Sequence, residues 1–568
     1  MGSFWTGVSG LQTSQNALNT TAHNLANIDT SGYTRQQVLQ GNREYNKIGD
    51  AYISSMQVGL GVSYTDVRAI RDYFLDKSYR QEAGRSAYYS TSLEAVNEIN
   101  TLFGETEGTE FQTSLQSLQN AMSDLADKPS DATSMSVVVS RAAQFLERAK
   151  AVYNGLCEYQ DNLNEQIKDQ VDTINDYAAK IHELNQKITR IETGGIEDAN
   201  DLRDSRDYYL DQLSSMGRIS YDEDAKGVVT VQFEGVNLVT TDYVNKMEAR
   251  VMDETTGFYE VIWPKLNDQQ VFSLNSDVSA EDLSDNGSLK ALVYSRGDHR
   301  ATYQDIVGGY EYTEEQADGT EVTKNATAEY AYSQIDSSSV MTIMAEFDNL
   351  VHNITMGIDR ILTSEVDSSG DRVDKGEDYL TLFTTISSDD TNTRPSEGEV
   401  QDQSFYSNYT CNNLTINSDL LKQPTLLNNG FVLEDSSVDQ TTADNLVELF
   451  SSADYINDLF DGSLASDGSD GKKVMTNLNA TTLTQSDFAD YYILIVEQYA
   501  TVGNTYQSLN TSLELSVNSI EAQRQQVVGV SDNEELTKMI RYQNAYNANS
   551  RYMNTVNDML EILLTSMT

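Results

Sequence analysis

Histidine, the residue type that most often serves in catalysis and metal binding, occurs four times in this 568-residue chain, as His23, His182, His299 and His352. The segment His182-Glu183-Leu184-Asn185-Gln186 begins like a zinc-protease motif, in which two histidines four residues apart bind the metal. Gln186 stands where the second histidine is required, so one ligand is missing. We therefore expect His182 to be a solvated side chain beside a helix seam.

Two other short motifs also lack a required residue. Asp467-Gly468-Ser469-Asp470-Gly471 resembles the start of a calcium loop, but Leu478 stands at the twelfth position, where such a loop needs an acidic ligand. We interpret the segment as a solvated turn. Gly59-Leu60-Gly61 lacks the third glycine of a dinucleotide-binding loop, since residue 64 is tyrosine.

A further candidate is a group of carboxylates that recur at helical spacing and could imitate a metal cluster. Its members are Asp201, Asp204, Asp207 and Asp211. Arg203 and Arg206 lie between them, so we predict an ion-paired helix face instead. The two cysteines, Cys157 and Cys411, could form one disulfide at most. We predict no catalytic, cofactor-binding or metal-binding residue, and a protein that is not an enzyme.

Composition narrows the classes of partner. The chain carries 88 acidic and 38 basic side chains, for a formal net charge of −50. Phosphate binding needs clustered cations, so we expect neither nucleic acid nor an anionic membrane as a partner. No window approaches the roughly 18 consecutive apolar residues of a membrane span. The N-terminus lacks the features of a cleaved leader, so export would need a route that does not read one.

The elements with the sharpest pattern are the two chain ends. Apolar residues recur every seven positions near the N-terminus, at Phe4, Leu11, Leu18 and Leu25, with Val8 and Ala22 between them. The C-terminal end repeats the spacing at Met539, Tyr546, Met553, Leu560 and Met567, joined by Tyr542, Val556 and Leu563. Such a repeat predicts helices with one apolar stripe along a supercoil. We expect the stripes to pack on each other and on neighbours, which indicates assembly rather than catalysis.

Two further heptad seams lie inside the chain. One runs from Ala149 to Ile191 and is predicted to end at Gly194-Gly195; the other runs from Phe488 to Ile520 and ends near Gly529. We expect the two seams to be partners in one elongated bundle. The residues between them contain strand signals at 228–239, 246–252 and 260–263, a hairpin or loop at 310–324, and polar connections at 367–378 and 389–403.

The predicted fold class is α+β and multidomain. It combines a terminal α-helical coiled coil and a long-helix bundle, both formed by the two chain ends, with central β-rich domains. The predicted domains are 1–45 with 529–568 as a coiled-coil unit, 46–218 with 405–528 as a helical bundle to which 288–365 adds helices, 219–287 as a β-rich outer domain, and 308–404 as a variable loop and β region.

One motif carries a family resemblance. Ala26-Asn27-Ile28-Asp29-Thr30-Ser31-Gly32-Tyr33 resembles the N-terminal signature Ala-Asn-x-x-Thr-x-Gly-Tyr of bacterial flagellar axial proteins, which include rod, hook and hook-associated proteins. The family typically has proline where this chain has Ser31, and a turn tolerates the change. Asn533–Leu536 and Tyr542–Asn549 are similar to the terminal helix of the same family.

Three internal stretches narrow the resemblance to hook-associated proteins that join hook and filament. They are Val58–Val62 with Arg71–Leu75, Asp201–Asp207 with the strands up to Val239, and Asn413–Leu421 with Ser519–Val530. Rod and hook proteins lack the long heptad helix before Gly194. The similarity is weakest from about Tyr310 to Ser404.

The resemblance implies a structural subunit of the flagellum outside the cell, exported by the flagellar secretion apparatus. Its implied partners are other copies of the chain in a ring, hook protein, a second hook-associated junction protein, and a cytosolic export chaperone on the C-terminal helix. The predicted subunit-interface residues are Phe4, Val8, Leu11, Leu18, Leu25, Asn27, Thr30, Gly32, Tyr33, Tyr546, Met553, Val556, Leu560 and Leu563.

Two alternatives stay open. The chain could be another axial protein of the hook or rod type, or a secreted axial protein with an inserted enzymatic domain. The region from Ser220 to Ser404, with His299 and His352, is the only place for such an insert.

Overall fold

The structure is a computed structural model that describes most of the chain. It covers residues 2–30, 32–43, 45–51, 54–104, 111–194, 198–252, 256–276, 278–308, 311–315, 321–366, 372–374, 379–386, 403–432, 437–452 and 487–567. The segment predicted to be a solvated turn at 467–471, and most of the predicted connections at 367–378 and 389–403, lie outside these residues.

The described chain is mainly helical. Its helices are α1 (Gly2–Ala26), α2 (Tyr73–Phe103), α3 (Phe111–Asp127), α4 (Ala132–Glu192), α5 (Asn200–Met216), α6 (Ser288–Arg296), α7 (Gln304–Val307), α8 (Ala328–Ile335), α9 (Ser339–Thr363), α10 (Gln403–Tyr406), α11 (Ser418–Lys422), α12 (Gln440–Ser451), α13 (Phe488–Val528) and α14 (Asp532–Met567), with 3-10 turns at Pro264–Leu266 and Pro424–Phe431.

The strands form small antiparallel sheets. They are β1 (Gln36–Asn42), β2 (Tyr45–Ala51), β3 (Ser54–Gly59), β4 (Val62–Ala69), β5 (Ile219–Glu223), β6 (Val229–Phe233), β7 (Val236–Val239), β8 (Glu248–Val251), β9 (Tyr259–Trp263), β10 (Gln269–Gln270), β11 (Glu311–Glu315), β12 (Glu321–Asn325), β13 (Ser364–Val366), β14 (Arg372–Asp374), β15 (Phe383–Thr385) and β16 (Leu414–Ile416). The pairs are β1–β4, β2–β3, β11–β12, β13–β14 and β15–β16, and the triplets are β5–β6–β7 and β8–β9–β10.

The predicted strand and hairpin positions are confirmed. β6 and β7 lie within 228–239, β8 lies within 246–252, and β9 overlaps 260–263. In β6 the alternate residues Val229, Val231 and Phe233 are buried against the helices, as period-two patterning requires. β11 and β12 pair across the segment predicted as a hairpin or loop.

The long heptad seam before Gly194 forms α4, a helix of 61 residues that ends two residues before that glycine. Its buried face includes Ala149, Leu156 and Leu163. The polar seam residue Gln160 is also buried, and its amide donates to the backbone oxygens of Arg296 and His299 at 2.8 and 3.1 Å. The seam therefore binds loops as well as helices.

The two long seams are not each other's main partners, and their placement in one elongated bundle stays a prediction. α13 packs along α2 and α9, whereas α4 packs against α3, α5 and α6. Aromatic side chains contribute to this choice: Tyr506 and Tyr492 of α13 lie 5.9 Å from Tyr89 and 6.2 Å from Phe103, both of α2. A heptad repeat predicts an apolar stripe but does not identify the helix that covers it.

α9 is the helix around which this middle part is built, because its residues are almost all buried. It carries two buried carboxylates that bind loop backbone. Asp348 accepts hydrogen bonds from the N–H groups of Tyr303 and Cys411 at 3.0 and 2.6 Å. Asp359 accepts from the N–H of Leu382 at 2.6 Å and from the Tyr409 hydroxyl at 3.0 Å. These bonds fix the irregular segments on either side of residues 387–402.

A third acid on α9, Glu346, is different because its hydrogen-bond partner among the described residues is a neutral hydroxyl. Its Oε1 lies 3.4 Å from the Tyr332 hydroxyl, and within the described part of the chain its buried Oε2 has no hydrogen-bond partner. Burial without a cation raises the pKa of Glu346 to about 8. The carboxyl is therefore protonated in the folded protein at neutral pH.

Glu346→Gln should remove a pH dependence of stability. Below the ordinary glutamate pKa of 4.5 both states hold the proton, and between that value and about 8 only the folded state does. The unfolding free energy of the unsubstituted chain should thus fall by about 1.4 kcal/mol per pH unit relative to Glu346→Gln across that window. Urea unfolding followed by circular dichroism measures this. Glu165→Gln, at an exposed position of α4, is the control. If the unfolding free energy depends on pH in the same way in both variants, the expectation is contradicted.

Candidate functional site at the joined chain ends

The first and last helices of the chain pack on each other in antiparallel orientation. Asn24 near the end of α1 contacts Glu535 near the start of α14, and Gly7 near the start of α1 faces Met553. A Cβ atom on Gly7 would lie 2.5 Å from the Met553 sulfur, and one on Gly10 would lie 2.6 Å from the Asn549 amide. Glycine at both positions therefore leaves room for the side chains of Met553 and Asn549 against α1, and a larger residue would force them to move.

The face that α1 buries consists of small and polar residues, in contrast to the apolar packing predicted. Its members are Gly7, Ser9, Gly10, Thr13, Ser14, Ala17, Thr21 and Asn24. Ser9 contacts the strands, because its hydroxyl oxygen lies 3.4 Å from the backbone nitrogen of Val62. α1 lies between α14 and the β1–β4 pair, and both neighbours come too close for large side chains.

The predicted stripe on α1 is consequently left partly open. Val8, Leu11, Leu18 and Leu25 are half-buried, and Phe4 is exposed. On α14, Met553 and Val556 are half-buried against α1, while Tyr546, Leu560 and Leu563 are exposed. Within one chain the large apolar residues of α1 thus stay partly open, and the expectation that the stripes pack on each other and on neighbours stays a prediction.

α14 also extends past the beginning of α1. Because Gly7 faces Met553, the first residue of α1 lies opposite the positions just after Val556. The remaining turns of α14 expose a group of large apolar side chains, namely Met559, Leu560, Ile562, Leu563 and Leu564. We call this group the C-terminal apolar end. Its side chains have an exposed fraction of up to 69%, which is unusual for a helix that is complete in one chain.

Asn24 is the centre of the hydrogen bonds that join the two ends. Its Nδ2 donates to the Gln36 oxygen at 2.9 Å and to Glu535 at 3.2 Å. Its Oδ1 accepts from the Tyr33 hydroxyl at 2.8 Å and from the Gln36 N–H at 3.0 Å. One buried amide thus ties α1, the start of β1 and the start of α14 together. The sequence analysis missed it, although Gly10, Ala17 and Asn24 follow a second seven-residue spacing.

The predicted turn residues lie together directly after α1. The Asn27 amide donates to the His23 oxygen at 3.0 Å, and Asn27 accepts from the Thr30 hydroxyl at 3.2 Å. Gly32 has a φ of +79°, which a residue with a side chain rarely adopts. Tyr33 is then directed back to Asn24. Burial, with smaller effects from the nearby carboxylates of Asp201 and Asp204, raises the pKa of the Tyr33 hydroxyl, which keeps it a donor.

An arginine–aspartate network connects this turn to the helical middle. The Thr34 N–H donates to Asp204 at 2.9 Å, and Asp204 lies 3.7 Å from Arg71. The other ion pairs are Arg71 with Asp76 and Asp207, Arg80 with Asp207 and Asp211, and Arg524 with Asp76 and Asp211. The network joins the segment before α2 to α2, α5 and α13. Backbone bonding supports it: the Arg35 N–H donates to the Val528 oxygen at 2.8 Å.

The prediction of an ion-paired face on α5 is confirmed, but its partners differ. Arg203 and Arg206, which lie between the aspartates in sequence, bind Glu192 and Glu223 instead. Burial raises the pKa of Asp204 to about 6, against the opposing effect of Arg71. For Asp207, Arg71 and Arg80 outweigh burial and hold the pKa below its usual range.

The histidines occupy structural positions. His182 lies 3.2 Å from the Thr240 oxygen and 3.0 Å from the Gln186 amide. His299 lies between Asp298 and Asp305, which raise its pKa to about 10 despite burial.

In the described ranges no three His, Cys, Asp or Glu side chains are grouped so as to hold a metal ion. Among the same residues, no helix has the length and apolarity needed to cross a membrane.

Gly10→Val should separate the paired ends, because its branched side chain would overlap Asn549. Overpacking of this kind costs about 1–3 kcal/mol. We expect faster hydrogen exchange of the α1 amides, measured by mass spectrometry. Gln12→Val places the same side chain at an exposed position of α1 and serves as the control. Equal exchange in both variants would contradict the close contact.

Asn24→Ala should loosen the turn after α1. The substitution leaves Tyr33, Gln36 and Glu535 without a partner they now share, and each buried unpaired group costs about 1–3 kcal/mol. Protease cleavage between residues 27 and 36 should become faster. Asn19→Ala, at an exposed position on the same helix, should leave the cleavage rate unchanged; cleavage at the same rate in both variants would argue against Asn24 as the centre.

Comparison with known proteins places these features in a family. A family model described as the flagellar hook-associated protein FlgK helical domain matches residues 96–313. Models of the flagella basal body rod protein and of the flagellar basal body rod FlgEFG protein C-terminal region match residues 4–34 and 526–566, which contain α1 with its turn and α14.

Similarity to curated relatives extends over nearly the whole chain. Flagellar hook-associated protein 1 of Bacillus subtilis is 24% identical over 568 residues, covering 98% of this chain and 96% of that protein. The Salmonella typhimurium protein of the same name is 24% identical over 581 residues, covering 98% of each chain. The solved structure of the flagellar hook junction protein FlgK from Burkholderia pseudomallei matches 54% of this chain and 46% of that one, with 16% identity and a TM-score of 0.39. The chain is therefore similar over nearly its whole length to flagellar hook-associated protein 1, and residues 96–313 match the helical domain of that family.

Proposed function

We propose that this chain is a non-enzymatic structural subunit of the bacterial flagellum that connects the hook to the filament. The observation that carries the proposal is the antiparallel contact of α1 and α14, which leaves large apolar side chains of both helices exposed. A helix pair of this kind needs further apolar partners, because exposed patches of such residues mark interaction surfaces.

The subunit interface consists of the partly open stripe on α1 and the exposed residues of α14. Phe4, Val8, Leu11, Leu18 and Leu25 have the spacing of one helix face and are at least partly open. Neighbouring copies in a ring would cover this face, together with Tyr546, Met553, Val556, Leu560 and Leu563. Asn27, Thr30, Gly32 and Tyr33 act differently: they hold the turn that sets the direction of α1 relative to β1.

Hook protein on one side and a second hook-associated junction protein on the other are the proposed axial neighbours. The subunit would reach its place outside the cell through the flagellar secretion apparatus. The C-terminal apolar end is a suitable site for a cytosolic export chaperone, since Met559 to Leu564 reach beyond α1 and would otherwise meet water. A chaperone and a neighbouring subunit would then bind this end one after the other.

The enzymatic alternative receives no support from the described part of 220–404. His299 is held between two carboxylates, and His352 is buried, stacked on Tyr303 at 3.7 Å and 2.9 Å from the Tyr409 oxygen. Burial lowers the pKa of His352 to about 4, so its ring is neutral. The hook or rod alternative is less suitable because the hook-associated helical domain model matches 218 residues, 96–313, outside the terminal segments.

Leu560→Asp tests the proposal in cells that lack the chain. Such cells should build hooks and release flagellin into the medium, and the unsubstituted gene should restore attached filaments. Leu560→Asp should fail to restore them, because a carboxylate in an apolar contact costs several kcal/mol. Asn557→Asp, which adds the same charge at another exposed position of α14, should restore them.

Two measurements complete the test. The purified Leu560→Asp protein should retain the circular dichroism and melting temperature of the unsubstituted chain, since Leu560 contributes little to the isolated fold. Counts of filaments by electron microscopy give the readout. Normal filaments with Leu560→Asp would contradict the interface, and a failure of the unsubstituted gene to restore filaments would contradict the proposed function.

A further inference from the structure

A cavity of about 230 Å³ opens between the first turns of α2 and strand β5. Its lining residues come from three separate segments, which the fold brings together beside the arginine–aspartate network. Arg80 contributes to both: it binds Asp207 and Asp211 and also forms part of the cavity wall, where its guanidinium lies 4.6 Å from the centre of the Tyr221 ring. The ring of Tyr73 meets Tyr221 edge-on at 5.8 Å.

The charge of this cavity is opposite to that of the chain. Lys77, Arg80 and Arg218 line it, and none of its lining residues is acidic. Arg80 is buried and already paired, but Lys77 and Arg218 are exposed. In the described part of the chain, neither of these two side chains lies within ion-pair distance of a carboxylate. Glu234 accepts a hydrogen bond from the backbone N–H of Arg218 at 2.7 Å, and its carboxylate also interacts electrostatically with the Arg218 side chain.

The rim of the cavity is apolar and in one place strained. Tyr73 and Leu283 line it with exposed fractions of 60% and 36%, and Phe74 beside them is 73% exposed. Leu283 also has a φ of +53°, in the left-handed region that costs a residue with a side chain about 1 kcal/mol or more. Strained backbone that presents an exposed leucine beside two exposed cations is typical of a binding surface.

We propose that this cavity, the cationic pocket lined by Tyr73, Lys77, Arg218, Tyr221 and Leu283, binds an acidic and partly apolar segment of a second copy of this chain. The inference rests on the proposed function in one respect, namely that copies of the chain are neighbours in the flagellum. Charge complementarity identifies the occupant. Each copy carries 88 acidic and only 38 basic side chains, so its surface is rich in carboxylates.

The net negative charge of the chain favours a cationic pocket at any contact between two copies. Two copies with a net charge of −50 each repel one another, and an interface between them is favoured where one copy presents cations and the other carboxylates. The exposed aromatic rim adds apolar area next to the charges, which is the composition of a specific protein interface. A carboxylate of the neighbour would meet Lys77 and Arg218, and its apolar side chains would cover Tyr73 and Leu283.

A charge-reversed double variant, Lys77→Glu with Arg218→Glu, tests the pocket in cells that lack the chain. We expect the number of filament-bearing cells to fall at least about tenfold, since two like charges replace two opposite ones at the contact. Lys128→Glu with Lys226→Glu changes the net charge equally at two exposed lysines elsewhere and should restore filaments. Equal melting temperatures of the two purified proteins would exclude a folding defect.

Carbodiimide coupling of isolated flagella identifies the occupant, because it joins an amine directly to a carboxylate in contact with it. Flagella built from a mixture of isotope-labelled and unlabelled copies should give a peptide that links Lys77 to an aspartate or glutamate of another copy. A link to a different flagellar protein, or full filament formation by the charge-reversed variant, would overturn the inference. If the unsubstituted gene itself fails to restore filaments, the proposed function fails instead.

Discussion

The close contact between the first and the last helix is the constraint on which the rest of the structure depends. Gly7 and Gly10 can meet α14 only if the two chain ends arrive side by side, although more than 500 residues separate them in sequence. The middle of the chain must therefore fold so that the residues after α1 and before α14 are adjacent. The bond between Arg35 and Val528 is where this adjacency is fixed.

Buried charge holds that adjacency in place. Arg71 and Arg80 lie close together in sequence, whereas Arg524 lies more than 400 residues later, and each pairs with aspartates of α2 or α5. Burying one partner alone would cost several kcal/mol, so the network tolerates only the arrangement in which all of its members meet. Ion pairs of this kind add little stability compared with apolar packing. In this chain they specify how the terminal helices attach to the helical middle.

The sequence predicted the elements better than their contacts. The heptad seam of α4, the strands β6 to β9 and the ends of the terminal helices follow from local periodicity, which a sequence displays directly. The helix that covers α13 cannot be identified from local periodicity, because α2 and α4 both have apolar faces. The role of Asn24 was missed for a related reason: its four hydrogen bonds reach residues 33, 36 and 535, and no pattern around position 24 reveals the last of these. The buried acids of α9 depend in the same way on loops distant in sequence.

α1 has the reverse of the usual distribution of side chains for a helix within one chain. It buries glycine, serine, threonine and asparagine, and it leaves phenylalanine and leucine partly in water. Small residues allow a close contact but remove little apolar area from water, so the helix pair gains little hydrophobic stabilisation from its own contact. The larger gain is available only when another molecule covers Phe4, Leu11 and Leu18. On the proposed function, in which other copies cover this face, the stability of the chain ends is coupled to assembly by mass action.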